Sequence, residues 1–220
     1  MIRGARELDA RARSSRRLGF LGGSFDPPHL GHLHLARVAR WARGLDHVVF
    51  VPAGRPPHKA GRELAAVEKR IRALEVLLEH EPDVSIWTVE AERPGQSYTI
   101  DTLRTLGTLL AQKTRIYLLL GEDNLPGLPA WREVEAILAL AEPVVVPRCP
   151  TACGSEREDA ARGLSELARE RLAQGRVGVE ALDASSTEIR SRLERGEDPG
   201  GSLPRSLRDY LIAERLYSAR

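Results

Sequence analysis

The stretch LGFLGGSFDPPHLGHLHLARVARWAR, residues 18–43, joins a candidate buried strand to a candidate amphipathic helix. Its first residues are continuously apolar, as in a strand that is covered on both faces. Its second half repeats apolar side chains at helical spacing. In the loop between them, Gly22 and Gly23 allow a sharp turn and a close backbone approach, while Pro27 and Pro28 restrict the chain path. The stretch therefore predicts a strand–loop–helix unit.

The rest of the chain repeats this alternation, which is typical of a doubly wound parallel α/β sheet of Rossmann-like type with helices on both faces. We expect a single domain over 18–220, with a small helical part at 184–220. Such a sheet binds ligands outside the carboxyl ends of its strands. Further strands are predicted at 47–52, 84–89, 115–120, 143–147 and 177–182, and helices at 63–80, 99–110, 131–140, 157–173, 187–195 and 204–217.

Composition limits the function classes. The chain has 220 residues, of which 42% are hydrophobic, so it can bury a sizeable core. Residues 1–17 carry six arginines against Glu7 and Asp9 and are expected to form a flexible tail outside the fold. The net charge is +2, and without the tail's +4 (six minus two) the body carries −2, which argues against nucleic-acid binding. No apolar run is long enough for a membrane span, and no signal sequence is present. A cytoplasmic location is therefore expected, with Cys149 and Cys153 as reduced thiols.

The loop after the first strand has the parts of an anion site, although neither the GxGxxG pattern nor the Walker A pattern occurs in it. A helix that opens near Gly31 presents N–H groups and a partial positive charge. His29 and His32 lie at that end, where their imidazoles could donate to phosphate oxygens. A metal site that adds His34 and Asp26 is a weaker alternative.

The segment GGSFDPPHLGH resembles the signature of the HxGH nucleotidyltransferases, and SSTEIR at 185–190 resembles their second motif. Further segments resemble the bacterial nicotinate-nucleotide adenylyltransferases, and this resemblance covers about residues 18–217. Ala184 and Asn124 depart from the family's usual residues without removing a chemical group. The further segments are VPAGRPPHK at 51–59, SYT at 97–99, GEDN at 121–124, PAW at 129–131 and IL at 137–138.

This resemblance implies transfer of the adenylyl group of ATP to the phosphate of nicotinate mononucleotide, in NAD biosynthesis. It implies Mg²⁺ that is held mainly by the ATP phosphates, and we expect no all-protein metal site. The implied catalytic residues are His32, His29 and Arg190. The implied ATP-binding residues are Gly22, Gly23, Ser24, Phe25, Gly31, Gly121, Asp123, Ser186 and Thr187. The implied nicotinate mononucleotide-binding residues are His58, Lys59, Ser97, Tyr98, Thr99 and Trp131.

Several alternatives stay open at this point. Within the superfamily, the acceptor could be phosphopantetheine, or the reaction could be a cytidylyl transfer. The amide nucleotide could replace the nicotinate compound, because no single residue decides between a carboxylate and a carboxamide. A nucleotide-binding sensor without turnover is the alternative from another class, although both His32 and Arg190 are present. The oligomeric state cannot be read, since no helix carries a sustained heptad pattern.

Overall fold

The computed structural model describes residues 4–57, 63–147, 163–180 and 182–218. The strands in these ranges are β1 (Gly4–Ala5), β2 (Arg17–Gly23), β3 (His47–Pro52), β4 (Val84–Trp87), β5 (Arg115–Gly121) and β6 (Glu142–Val146). The helices are α1 (Ala10–Ser14), α2 (Leu30–Arg43), α3 (Val67–Leu78), α4 (Val89–Glu92), α5 (Thr99–Leu109), α6 (Val134–Leu140), α7 (Glu166–Gly175), α8 (Ser186–Glu194) and α9 (Arg205–Ala213). Within the described ranges, 3-10 helices also cover Glu122–Ala130 and Gly200–Ser202.

The strands form one parallel sheet in the order β1-β4-β3-β2-β5-β6. Phe20 in β2 stands beside Val49 of β3 on one side and Leu118 of β5 on the other. From β2 the chain builds outward through β3 and β4, and then returns to add β5 and β6 on the opposite side. The direction of winding therefore reverses between β2 and β5, which makes their carboxyl ends the expected ligand site.

Apolar side chains fill both faces of the sheet because successive residues of a strand point to opposite sides. Leu21, Phe50 and Leu119 belong to a core cluster with α2, α3, α8 and α9. Phe20 and Leu118 belong to a second cluster with α1, α5, α6 and α7. Helices thus cover both faces, and the prediction of a doubly wound α/β fold is confirmed.

The N-terminal segment corrects the expectation that residues 1–17 lie outside the fold. From residue 4 onward they are described, and β1 pairs with β4 at the sheet edge. Leu8 and Ala12 are buried in the second cluster, and the Trp87 indole N–H donates to the Arg6 carbonyl at 2.8 Å. Leu8 precedes α1 and Ala12 lies within it, and the surrounding arginines obscured these two apolar positions in the sequence.

Several predicted elements differ from the structure, most of them only at their boundaries. Of the predicted strand at 177–182, the described residues 177–180 and 182 form no strand, and a single bridge pairs Arg176 with Val145. The helix predicted from residue 131 begins at Val134, because Glu133 adopts a left-handed φ of 53° and the preceding residues form a 3-10 helix. The helix predicted at 157–173 falls partly on 148–162, outside the described residues, as do Cys149 and Cys153.

Two tryptophans differ in their exposure to solvent. Trp41, which the sequence suggested to be structural, is 78% exposed on α2, whereas Trp87 is buried as expected. Among the helices that the structure describes, none combines the length and apolarity needed to cross a membrane.

Candidate active site

The loop that follows β2 lies at the point where the winding of the sheet reverses, beside Gly121 at the end of β5. Gly22 and Gly23 end β2, and the Ser24 carbonyl accepts a hydrogen bond from Arg70 at 2.6 Å. The Phe25 ring is buried and contacts His32 edge-on, with ring centroids 5.0 Å apart. Phe25 therefore supports the His32 imidazole from below.

His29 and His32 cap α2 reciprocally. The His29 imidazole accepts from the Gly31 backbone N–H through Nδ1 at 3.1 Å, and the His32 imidazole accepts from the His29 backbone N–H through Nδ1 at 3.2 Å. Because Nδ1 accepts in both rings, the proton of each neutral imidazole lies on Nε2. The loop geometry thus fixes both side chains as Nε2–H donors.

The two histidines differ in accessibility. His29 is 0% exposed, whereas His32 is half-buried, and their ring centroids lie 3.9 Å apart. His29 packs under its neighbour, and the His32 ring is the more accessible of the two. That both rings bind phosphate stays a prediction.

Gly31 is required by this stacking. A Cβ there would lie 2.9 Å from two atoms of the His29 ring and 3.1 Å from Ala184 Cβ. The glycine lets the segment before α8 approach the start of α2. Ala184, which departs from the usual family residue, fills this narrow contact.

The second motif is brought directly onto the first loop by α8. The Arg190 guanidinium donates to the Asp26 carbonyl at 2.6 Å and to Thr187 Oγ1 at 3.0 Å. The Ser186 hydroxyl donates to the Pro27 carbonyl at 2.9 Å. Arg190 is buried rather than solvated at the surface. The two motifs, far apart in sequence, therefore form one site.

Sequence reasoning missed two buried groups in this site. Arg70 of α3 donates to the carbonyls of Ser24, Ala53, Gly54 and Ala65 at 2.6 to 3.3 Å. Its burial lowers the pKa of the guanidinium, and the nearby Asp26 carboxylate opposes that shift. No local pattern marks Arg70, because its partners lie on loops after other strands.

Asp26, which the sequence offered only as a ligand of the weaker metal alternative, is the other group. Its carboxylate is fully buried and accepts from the Tyr217 hydroxyl at 2.7 Å and from the Ala65 backbone N–H at 3.1 Å. Burial, followed by this hydrogen bond to Asp26, raises the pKa of Tyr217. The carboxylate thus stands between two cationic side chains, Arg70 and Arg190.

The predicted acceptor residues lie around the start of α5. The Ser97 hydroxyl accepts from the backbone N–H groups of Gly54 and Arg55 at 3.0 and 3.2 Å, so Ser97 holds this loop in place. Its predicted contact with the nicotinate moiety stays a prediction. Tyr98 and Thr99 start α5, and Arg132 lies 4.9 Å over the Tyr98 ring. His58 and Lys59 lie outside the described residues.

Trp131 and Asp123 lie on the segment after β5. Trp131 ends the 3-10 helix, is partly buried, and adjoins the same core cluster as Tyr98. The Asp123 carboxylate is exposed and accepts from the Asn124 amide at 3.3 Å. The structure therefore brings Tyr98 and Trp131 to the same side of the sheet and places Asp123 beyond the end of β5.

A cleft of about 560 Å³ lies at the amino ends of β5 and β6, away from the carboxyl ends of the strands. Arg43, Arg115 and Arg171 line it. Arg171 bonds the Leu138 carbonyl of α6, and Arg43 donates at 2.8 Å to the Gln174 carbonyl of α7. These arginines therefore cap helix C-termini, which repel anions. We assign this cleft to stability and not to ligand binding.

Within the described residues, no group of three or more His, Cys, Asp or Glu side chains is arranged to hold a metal ion. The site instead presents cationic and N–H donors at the end of β2. Such a donor set suits a polyphosphate, which carries its own oxygen ligands for a divalent cation.

Comparison with known proteins shows the family to which the chain belongs. Residues 20–192 match the family described as Cytidylyltransferase-like. The chain belongs to this class of nucleotidyltransferases, as the fold and the two joined motifs indicate. It is 34% identical over 203 residues to a "Probable nicotinate-nucleotide adenylyltransferase" of Dehalococcoides mccartyi, covering 92% of this chain and 98% of that protein. A Roseiflexus protein with the same name is 38% identical over 208 residues, covering 93% and 99%.

The chain thus belongs to the nicotinate-nucleotide adenylyltransferase family. A solved structure of the nicotinic acid mononucleotide adenylyltransferase of Plasmodium falciparum, complexed with NaAD, has a similar fold, with a TM-score of 0.70. The two are 18% identical, and the alignment covers 91% of this chain and 97% of that chain.

Proposed function

We propose that this protein transfers the adenylyl group of ATP to the 5′-phosphate of nicotinate mononucleotide, giving nicotinate adenine dinucleotide and pyrophosphate in NAD biosynthesis. A phosphate oxygen of the acceptor forms a bond to the α-phosphorus of ATP, and the bond from that phosphorus to the bridging oxygen of pyrophosphate breaks. The observation that carries the proposal is the contact of Arg190 and Ser186 with the loop that holds His32.

The phosphate side of the reaction uses donors and no protein nucleophile, because the attacking phosphate is already anionic. His32 donates its Nε2–H toward the α-phosphate as negative charge develops there. His29 orients this ring through its backbone N–H. Arg190 and the first turn of α8, with Ser186 and Thr187, face the outer phosphates. Gly22, Gly23, Ser24, Phe25 and Gly31 shape the loop around them, and Gly121 and Asp123 meet the ribose.

The acceptor side uses the start of α5 and the segment after β5. The N–H groups of the first turn of α5, with Tyr98 and Thr99, receive the nicotinate carboxylate at the positive end of the helix. Trp131 offers a flat face to the pyridine ring, and such stacking contributes about 0.5–1.5 kcal/mol beyond area burial. His58 and Lys59 approach the acceptor phosphate.

Mg²⁺, when bound with the triphosphate, would neutralise part of its charge, and phosphate oxygens and water would hold it. The substrates are small molecules, and nucleic acid has no part in the proposal. We place the reaction in the cytoplasm, where ATP is available.

The test measures pyrophosphate release with ATP and Mg²⁺ for three acceptors: nicotinate mononucleotide, nicotinamide mononucleotide and phosphopantetheine. We expect the highest kcat/KM with the nicotinate compound. Turnover with another acceptor alone would overturn the assignment of Tyr98 and Trp131, and ATP binding without any turnover would favour a sensor.

A variant in the same assay tests the chemistry. His32→Ala is expected to lower kcat by about 10²–10³-fold with little change in either KM, because the lost donor acts in the transition state. His34→Ala, two residues further along α2, serves as the matched control. A wild-type kcat in His32→Ala would place the chemistry elsewhere.

A further inference from the structure

Glu90 is a buried carboxylate that the proposed reaction leaves without a role. It lies in α4, directly after β4, and is 4% exposed. The Thr102 hydroxyl of α5 donates to its Oε1 at 2.6 Å. Burial raises the pKa of Glu90, and this hydrogen bond from Thr102 partly opposes the shift. Burying a carboxylate away from water costs free energy of folding unless the group is hydrogen-bonded or paired with a charge.

The direction of the hydrogen bonds around Thr102 makes the carboxylate an obligatory acceptor. Arg93 donates to Thr102 Oγ1 at 3.1 Å, and a guanidinium can only donate. The Thr102 hydroxyl proton is therefore left for an acceptor, and Glu90 Oε1 at 2.6 Å is nearer than the Tyr98 carbonyl at 3.4 Å. This ordered chain of Arg93, Thr102 and Glu90 fixes the first turns of α5 against α4.

Glu90 also adjoins the loop that follows β3. A Cβ on Gly54 would lie 2.5 Å from the Glu90 carbonyl oxygen, so the two backbones are in close contact. Ser97 opposes the rise in the pKa of Glu90, and its hydroxyl accepts from the N–H groups of Gly54 and Arg55. One carboxylate thus joins the start of α5 to the loop after β3.

We propose that Glu90 is a positioning residue for the acceptor nucleotide: through Thr102 and Ser97 it sets the start of α5 relative to residues 53–55. This inference rests on the proposed function, which assigns the start of α5 to the nicotinate moiety. The groups assigned to ATP lie on the loop after β2 and on α8, whereas Glu90 contacts the start of α5 and the loop after β3. A change at Glu90 should therefore act on one substrate only.

The test is Glu90→Gln, which keeps the shape but replaces one acceptor oxygen with an N–H donor. When the amide oxygen faces Thr102, its NH₂ faces Ser97, whose hydroxyl already accepts two N–H groups. We expect KM and the calorimetric Kd for nicotinate mononucleotide to rise by about tenfold, with kcat and KM for ATP within about twofold of wild type. Thr102→Val should shift the same constants in the same direction.

Glu92→Gln is the matched control, because Glu92 lies on the same helix, accepts from the Thr88 hydroxyl at 2.7 Å and is exposed. It should leave both KM values at wild type. Unchanged acceptor constants in Glu90→Gln, or equal rises for both substrates, would overturn the inference. If Glu90→Gln fails to fold, Thr102→Val decides by the same criteria. A wild-type protein that does not use nicotinate mononucleotide would instead refute the proposed function.

Discussion

The hydroxyl of Tyr217 donates to Asp26 Oδ1 at 2.7 Å, although 191 positions of sequence separate the two residues. The bond anchors the segment after α9 to the loop that carries His29 and His32. The buried carboxylate at its acceptor end also lies beside Arg190 and receives the Ala65 N–H. The arrangement of the phosphate loop therefore depends on side chains from α8 and from the segment that follows α9.

Tyr217→Phe removes this donor and leaves the ring in place. Because the lost hydrogen bond is to a buried charged group, we expect the free energy of unfolding to fall by about 1.5–3 kcal/mol. KM for ATP should rise as the loop loosens. Urea unfolding and steady-state kinetics measure the two effects. Tyr210→Phe is the control, since the Tyr210 hydroxyl bonds a carbonyl at 3.3 Å near the surface. Equal losses in both variants would contradict this prediction.

Gly31→Ala tests the contact between the two histidines. The added Cβ must displace the His29 ring, and with it the His32 imidazole that accepts from the His29 backbone. Small misplacements of catalytic groups cost about 10²-fold, so kcat should fall by roughly that factor. Gly107→Ala on α5 meets no atom within 4 Å and should retain wild-type kcat and stability. An active Gly31→Ala variant would show that the site tolerates a displaced His29.

Arg70→Lys should destabilise the protein by about 3 kcal/mol or more, because an ammonium cannot reach carbonyls that a guanidinium binds in several directions. The affected loops follow β2 and β3, so the KM values for both substrates should rise. Arg72→Lys, at an exposed position of the same helix, is expected to change little. Differential scanning calorimetry and kinetics give the comparison, and similar melting temperatures for the two variants would count against a clamping role for Arg70.

The buried imidazole of His47 should make the free energy of unfolding depend on pH. Burial lowers the pKa of its imidazole, while Asp9 and Asp83 oppose the shift. Its Nδ1 is buried with no hydrogen-bond partner among the described residues, so a proton there would find no acceptor in that part of the structure. The unfolded state then binds more protons than the folded state below a pH of about 6.5. Stability should therefore fall as the pH drops from about 6.5 toward the lower pKa of the folded state.

The measurement is urea unfolding of wild type and His47→Gln between pH 8 and pH 5.5. The glutamine does not titrate, and its amide can still bond Ser85, which His47 contacts at 2.9 Å. The variant should lose less stability on acidification than wild type. His80→Gln changes an exposed histidine and should keep the wild-type slope. Identical slopes in His47→Gln and wild type would assign the acid sensitivity to other groups.

Local patterns in the sequence predicted five strands of the sheet, β2 to β6, because strand burial and loop glycines leave signals within a few residues. The family resemblance implied that His29, His32 and Arg190 share one site. Neither the patterns nor the resemblance showed that His29 is buried under His32, since both rings have the same relation to the loop in sequence. Which of the two rings is buried depends on packing around them by Phe25 and Ala184, and these two residues lie in different parts of the fold.

The missed features are long-range. Arg70, Glu90 and Tyr217 each bond partners on other elements, and a buried charged residue in an arginine-rich chain looks the same as a solvated one. Residues 1–17 were predicted to lie outside the fold because their arginines outnumber Leu8 and Ala12, the two apolar residues whose side chains are buried in the core. The sequence also did not show that the Ser97 hydroxyl accepts from the backbone of the preceding loop.

The long separation between the phosphate loop and its supports also determines when the site can form. During synthesis, the loop emerges 159 to 191 residues before Ser186, Arg190 and Tyr217. All strands of the described sheet precede those residues, so the sheet can assemble while the loop still lacks them. Contacts of this range form slowly. The nascent protein should therefore pass through a stage in which the Rossmann-like sheet is folded and protected from proteases, yet does not bind ATP.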